Sequence, residues 1–438
     1  MPTDLAKIQT IVILLMENRS FDHMLGYLRL PAYGGNTNVE GVRDDQTWLN
    51  AVANNWQGFA YQPGPLLDQR FPDPPHERAN VATQLGQVGA HGFPLDGFIV
   101  SATGTSSVMR YQTPDKVPIL DFFARNFRIC DHWFAPLPAS TQPNRLMAMA
   151  GYSLIDGNVK VLPNHLLVYD WLSAHGVSWR VYHQGFFPFF SMMPRWLPEI
   201  ATSDKFREFD RFAIDMELES DATFPQVIFV EPIYTDAPHD EAEGTDDHSP
   251  SSVTGGQRLM LDVYSALLRS RHWNNSIMII TYDEHGGLFD HVQPLAVETS
   301  PPAGQYLGFP TTGVRVPAVI VSPFVSPGSV CNENFDHTSI LRFLGQKFGM
   351  GGGYSPDVDR RALVGSVADI LDLADPRLDR PQPPDPAVIV AATTTLPAPL
   401  PSSNPNVEAF NQVAQQMKDQ YPHQLATKFP KSRDVLKF

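Results

Sequence analysis

An α/β fold with a mostly parallel central sheet and helices on both faces is predicted by three observations. Short apolar runs rich in β-branched residues recur along the chain, helical or loop stretches separate them, and most of the runs end in polar residues. They cover 10–16, 177–182, 226–230, 276–282 and 316–321. Within 257–268 the residues Leu259, Leu261, Val263, Tyr264, Leu267 and Leu268 repeat at helical spacing, which predicts a helix lying on the sheet just before the 276–282 strand. Residues 34–75, dense in Gly, Pro, Asn and Asp, predict a long irregular excursion of the kind that walls an active site.

The 438 residues are expected to form one catalytic domain, 1–360, and a C-terminal appendage, 361–438. The appendage reads as a Pro-rich arm over 375–405 followed by a helix over 406–420. Hydrophobic residues make up 42% and charged residues 18%, enough apolar material for a core. A formal charge of −15 without a basic stripe excludes a general grip on nucleic acid. The apolar run from Ile11 to Met16 is too short for a bilayer span or a signal-peptide core, so the chain as written is expected to be cytoplasmic or soluble. Cys130 and Cys331 are the only cysteines and are expected as buried thiols, with a bridge between them left open.

The chemistry gathers at strand ends. The strand 10–16 runs into Glu17-Asn18-Arg19-Ser20, placing two oxygen ligands where open α/β sheets bind; the bland alternative is that Asn18 or Ser20 caps the next helix. The strand 276–282 ends in Asp283-Glu284-His285-Gly286-Gly287, and adjacent carboxylates there repel each other unless a dication offsets them. A sharp turn at the two glycines is expected to bring His291 back over the site. In Pro138-Ala139-Ser140-Thr141-Gln142-Pro143-Asn144-Arg145, proline at the first helical position predicts a helix start with Thr141 as its cap. Such a terminus suits a phosphoryl group. Asn144 and Arg145 are read either as donors to phosphate oxygens or as residues that stabilise the turn. His76, the pair Asp247-His248 and His291 are candidates for protonating a leaving alkoxide, an imidazole held by a carboxylate being suited to that task. His337 reads as a cap-region residue.

The segments MENRSFDHMLGYL, PASTQPNRL, TDDHSP, IITYDEHGGLFDHV and VRVPAVIVSPFV, in that order over about 8–349, resemble the phosphoesterase family of bacterial phospholipases C, plant non-specific phospholipases C and related acid phosphatases. The resemblance implies an alkaline-phosphatase-like fold, one divalent metal and a covalent phosphoenzyme. It implies Glu17, Asn18, Asp283 and Glu284 as metal ligands, with Thr141 as nucleophile completing the set, and His76, Asp247, His248 and His291 as phosphate-contacting or proton-transferring groups. The His76 segment matches more loosely, with Pro75 where relatives often carry Gly. The implied substrate is a phospholipid, reached by transient contact with a membrane surface, or a small phosphoester.

Oxygen donors suit Ca, Mg or Mn, and Zn accepts carboxylates too. A sulfatase requires Cys or Ser in a C/S-x-P-x-R pattern, which neither Cys130-Asp131-His132 nor Ser140-Thr141-Gln142 supplies. Two further readings compete with a phospholipase C: a broad acid phosphatase using the same core residues, and a catalytically silent protein that captures phosphorylated ligands.

Overall fold

In the computed structural model, which describes residues 3–239, 241, 243–390 and 404–430, the core is an eight-stranded sheet. Its strands are β1 (Thr10–Met16), β2 (Arg128–Cys130), β3 (Trp179–His183), β4 (Phe206–Glu208), β5 (Val227–Glu231), β6 (Ser276–Tyr282), β7 (Ala318–Val321) and β8 (Ser329–Cys331). They lie in the order β8-β2-β7-β6-β1-β5-β3-β4. Only β7 runs antiparallel to its neighbours, so the sheet is mostly parallel as expected. The two central strands have the predicted bounds, because their unbroken β-branched and Leu-rich runs are buried on both faces.

Helices cover both faces. Helix α1 (Pro118–Asn126) docks on the long helix α4 (Thr254–Arg269), Gln257 Oε1 accepting from the N–H groups of Ile119 and Leu120 at 2.9 and 3.0 Å. A Cβ added to Gly256 on α4 would stand 2.7 Å from the Met16 side chain, so α4 lies against the face of β1 that carries Met16. On the other face a small apolar cavity is lined by Ile13 and Leu15 together with residues of α2 (Thr141–Ala150), α3 (Val168–Ala174) and α5 (Thr338–Phe348).

The excursion over 34–75 carries only a helix, Gln46–Ala51, a short hairpin and a two-residue strand. The C-terminal segment contributes α6 (Pro405–Gln420) and α7 (Pro422–Lys428), whose Phe410, Val413, Met417 and Leu425 belong to the same buried cluster as the sheet. Residues 391–403 of the expected Pro-rich arm lie outside the described residues. Cys130 and Cys331 are buried, free and register partners across β2 and β8. No helix among the described residues is long and apolar enough to cross a membrane.

Candidate active site

Register assembles the site. Met16 pairs with Tyr282 at the carboxyl ends of β1 and β6, so the next residues, Glu17-Asn18 and Asp283-Glu284, emerge side by side. The Asn18 N–H donates to Asp283 Oδ1 at 3.1 Å, and Asn18 adopts a φ of 59° to do so. Gly286 (φ +63°) presses on that turn: a Cβ there would lie 2.3 Å from the Asn18 carbonyl oxygen, which only glycine avoids.

Helix α2 delivers the third element. Ser140 is its N-cap residue and Thr141 its first residue, so proline sits third, still in the turn whose N–H groups need no helical partner. The Thr141 hydroxyl, fully buried, donates to Asn18 Oδ1 at 3.4 Å. Its neighbour Ser140 donates instead to Glu77 Oε2 at 2.8 Å.

Arg145, one turn further along α2, bridges the two strand ends, with Nη2 3.2 Å from Glu17 Oε1 and Nε 3.2 Å from Asp283 Oδ2. Its charge does not neutralise the acids around it. Burial pushes Asp283 up to about 6 against the pull of Arg145, and burial likewise raises Glu17. Glu284 Oε1 is buried without a hydrogen bond, and its other oxygen accepts from the Gly286 N–H at 2.9 Å. A divalent cation among such oxygens offsets this excess, so the residues present fit a hard metal ion.

Histidines close the site from two loops. His76 donates from Nδ1 to the Pro74 carbonyl at 2.7 Å and turns Nε2 toward Asn18 Nδ2 (3.4 Å) and Glu284 Oε1 (3.9 Å). Burial opposes its charged form, but Glu284 and Asp73 outweigh burial and lift it to about 9; a cation bound to Glu284 would remove part of that attraction. His248 lies between carboxylates, Nδ1 3.2 Å from Glu17 Oε2 and Nε2 3.3 Å from Asp73 Oδ1. Asp73, His76 and His248 offer donor atoms within 4.8 Å of one another, as do Glu17, Asp246 and His248. Among the described residues, Glu17 is the expected carboxylate ligand that belongs to such a group; Asp283 hydrogen-bonds to Arg145 and to the backbone N–H groups of Asn18 and Glu284.

The phosphoesterase family model matches residues 8–351. The chain belongs to the phosphoesterase family. It is 30% identical over 411 residues to non-specific phospholipase C6 of Arabidopsis thaliana, covering 85% of this chain and 74% of that one. It is 29% identical to a non-hemolytic phospholipase C of Burkholderia pseudomallei, covering 86% of this chain and 61% of the relative. Among solved structures, a phosphonate monoester hydrolase of Agrobacterium radiobacter aligns with 85% of this chain and 79% of that one, at 11% identity and a TM-score of 0.39. Family membership makes the chain a phosphoric ester hydrolase.

Within this phosphoesterase, several expected residues stand elsewhere than their motifs implied. Asn144 is not free to hold phosphate: its amide donates to the carbonyls of Leu137, Ala139 and Ser140 and accepts from the Leu137 N–H, the turn-stabilising alternative. Arg145 is engaged with the acids and with the carbonyls of Leu15 and Met16. Asp247 turns from its neighbour His248 and accepts from the Tyr282 hydroxyl at 2.6 Å, burial raising it to about 7. The carboxylates nearest the His248 ring are Glu17 and Asp73. Asp73 carried no assignment from the sequence, although its place three residues before His76 was the available signal. His337 is more than a cap-region residue: fully buried, it donates from Nε2 to the Asp283 carbonyl at 2.7 Å and accepts from Trp133 Nε1 at 3.1 Å.

Both ring nitrogens of His291 are engaged by carboxylates other than those of the strand ends. The ring donates to Asp22 Oδ2 at 2.6 Å and to Glu40 Oε1 at 3.1 Å, in a cluster where buried Arg315 pairs with Asp22 and Asp290. Arg315 already balances the acids, so this cluster serves as a tie between loops. Burial works against the imidazolium, but the two acids hold His291 at about 9, above the ordinary 6.5. A raised folded-state pKa contributes stability that is complete below pH 6.5 and lost as pH rises through about 9. The unfolding free energies of the parent and His291→Gln should therefore differ most near pH 6, by on the order of 3 kcal/mol, and converge above pH ~9. A difference that stays constant across that range contradicts the assignment.

Proposed function

We propose that this phosphoesterase cleaves its substrate by attack of the Thr141 hydroxyl on phosphorus, with one divalent ion held by Glu17, Asn18, Asp283 and Glu284, and that the substrate is a glycerophospholipid cut as a phospholipase C cuts it. The observation that carries this reading is the 3.4 Å contact of Thr141 Oγ1 with Asn18 Oδ1 beside the buried acids of the two strand ends. A bound divalent ion supplies Lewis acidity and favours the ionised form of a hydroxyl beside it. The oxygen donors suit Ca, Mg or Mn, with Zn as the borderline choice.

The protein groups account for the rest. The N-terminus of α2 offers N–H groups and partial positive charge to the phosphoryl oxygens. His76 or His248, both beside Asp73, gives a proton to the departing alcohol. Water then hydrolyses phosphothreonine, and the hydroxyl is restored. His291, tied to Asp22 and Glu40, is left out of this scheme.

The lipid preference draws on relatives named phospholipases C, and a transient contact with the lipid surface goes with it. Dialysis against a chelator should abolish turnover, and re-addition of one divalent ion should restore it. With phosphatidylcholine micelles the enzyme should release phosphocholine. Release of phosphate from p-nitrophenyl phosphate with micelles left intact replaces the phospholipase reading with the acid-phosphatase one. Turnover that survives complete removal of metal rejects the ion.

A further inference from the structure

The first turn of helix α6 packs against Gln142, the residue that follows the candidate nucleophile, although α6 lies outside the part of the chain matched to the family, 8–351. Gln142, fully buried, donates from Nε2 to Asn406 Oδ1 at 2.7 Å and to the Val159 carbonyl at 2.8 Å. Its Oε1 accepts from the Val159 N–H at 2.7 Å, and its backbone N–H donates to Asn158 Oδ1 at 2.9 Å. The peptide after Thr141 is thus clamped between the 158–159 loop and the first turn of α6.

That turn is itself fixed. Asn404 caps it by accepting from the Val407 N–H at 2.9 Å, and donates from Nδ2 to the Asp236 carboxylate at 3.1 and 3.2 Å. One turn on, Phe410 stacks on Tyr234 at 5.6 Å, and the Tyr234 hydroxyl accepts from Arg145 Nη1 at 3.2 Å. The same helix therefore bears on both the Thr141 turn and the cation between Glu17 and Asp283.

We propose that Asn406 is a positioning residue for the nucleophile, holding the first turn of α2 through Gln142 so that Thr141 keeps its direction toward Asn18. Docking α6 needs no such contact, because Ala409, Phe410, Val413 and Met417 already bury its apolar stripe. An amide as buried as that of Asn406, 3% exposed, costs stability unless it is paired. Its pairing acts one residue from a hydroxyl whose alignment the reaction depends on, where a displacement of about 1 Å costs on the order of a hundredfold in rate.

The inference rests on Thr141 as nucleophile, so Thr141→Ala is assayed in parallel. With p-nitrophenyl phosphate or p-nitrophenyl phosphorylcholine, whichever the parent turns over, kcat per folded molecule should fall about tenfold in Asn406→Ala while KM stays within about twofold. Asn406→Asp keeps the acceptor oxygen and should stay within about threefold of the parent. Gln142→Ala combined with Asn406→Ala should be no slower than Gln142→Ala alone, since both changes release one clamp. Gln415→Ala, on the exposed face of the same helix, should match the parent.

Parental kcat in Asn406→Ala beside an inactive Thr141→Ala overturns the positioning role and leaves the nucleophile standing. An equal loss in Asn406→Asp, or losses that multiply in the double variant, also overturns it. An active Thr141→Ala removes the nucleophile reading on which the inference rests, whatever the Asn406 variants do.

Discussion

Thr141→Ala is expected to lower kcat by about 10,000-fold or more while the melting temperature stays within a few degrees of the parent. The side chain is fully buried, and its one hydroxyl contact is the 3.4 Å bond to Asn18. Deleting a methyl and a hydroxyl at the first residue of α2 leaves the Gln142 and Asn144 anchors of that turn in place. Stability and turnover should therefore separate. Thr141→Ser keeps a hydroxyl and should retain measurable activity, with labelled phosphate trapped on the serine. Turnover near the parental level in the alanine variant would move the attack to another oxygen, and Ser140 is the poorer choice because its hydroxyl is committed to Glu77.

Arg145→Met should have the largest effect on stability. The guanidinium is 3% exposed and lies between two carboxylates whose burial already pushes them toward the protonated form. Methionine fills a similar volume but leaves no cation between Glu17 and Asp283. Removing one partner of a buried ion pair costs about 3–5 kcal/mol. The loss should appear as a lower denaturation midpoint, and saturating divalent ion should recover part of it by binding only the folded form. A variant as stable as the parent in metal-free buffer would mean that Arg145 does not carry the charge balance of the site. Arg145→Lys is expected to fall between the two, because a single ammonium cannot reach both strand ends as the planar fork does.

How much of this was legible depends on how locally each feature is determined. Strands β1 and β6 could be read to the residue, because a strand covered on both faces is a near-continuous apolar run that turns polar where it leaves the sheet. Shorter edge strands such as β4 and β8 carry no comparable run and were not foreseen. The gathering of Glu17, Asn18, Asp283 and Glu284 was legible for the same reason, once the two strands were taken to end on one side of the sheet. Helix α2 begins earlier than its proline implied, with Ser140 instead of Thr141 as the cap and Pro143 third instead of first, since proline is tolerated throughout the first helical turn and does not mark a single position.

By itself the sequence determined the fold class, the family and which polar residues stand at the strand ends, all of which follow from short-range pattern and from motif order. Only the tertiary structure decided which charges meet. It set His248 between Glu17 and Asp73 while its chain neighbour Asp247 turned to Tyr282, took His291 to Asp22 and Glu40, and brought Asn406 to Gln142. A carboxylate and an imidazole attract over a few ångströms whatever their separation along the chain, so such pairings are chosen by sheet order and loop paths. Residues adjacent in sequence leave a turn in different directions, and adjacency therefore carries little information about which of them will touch.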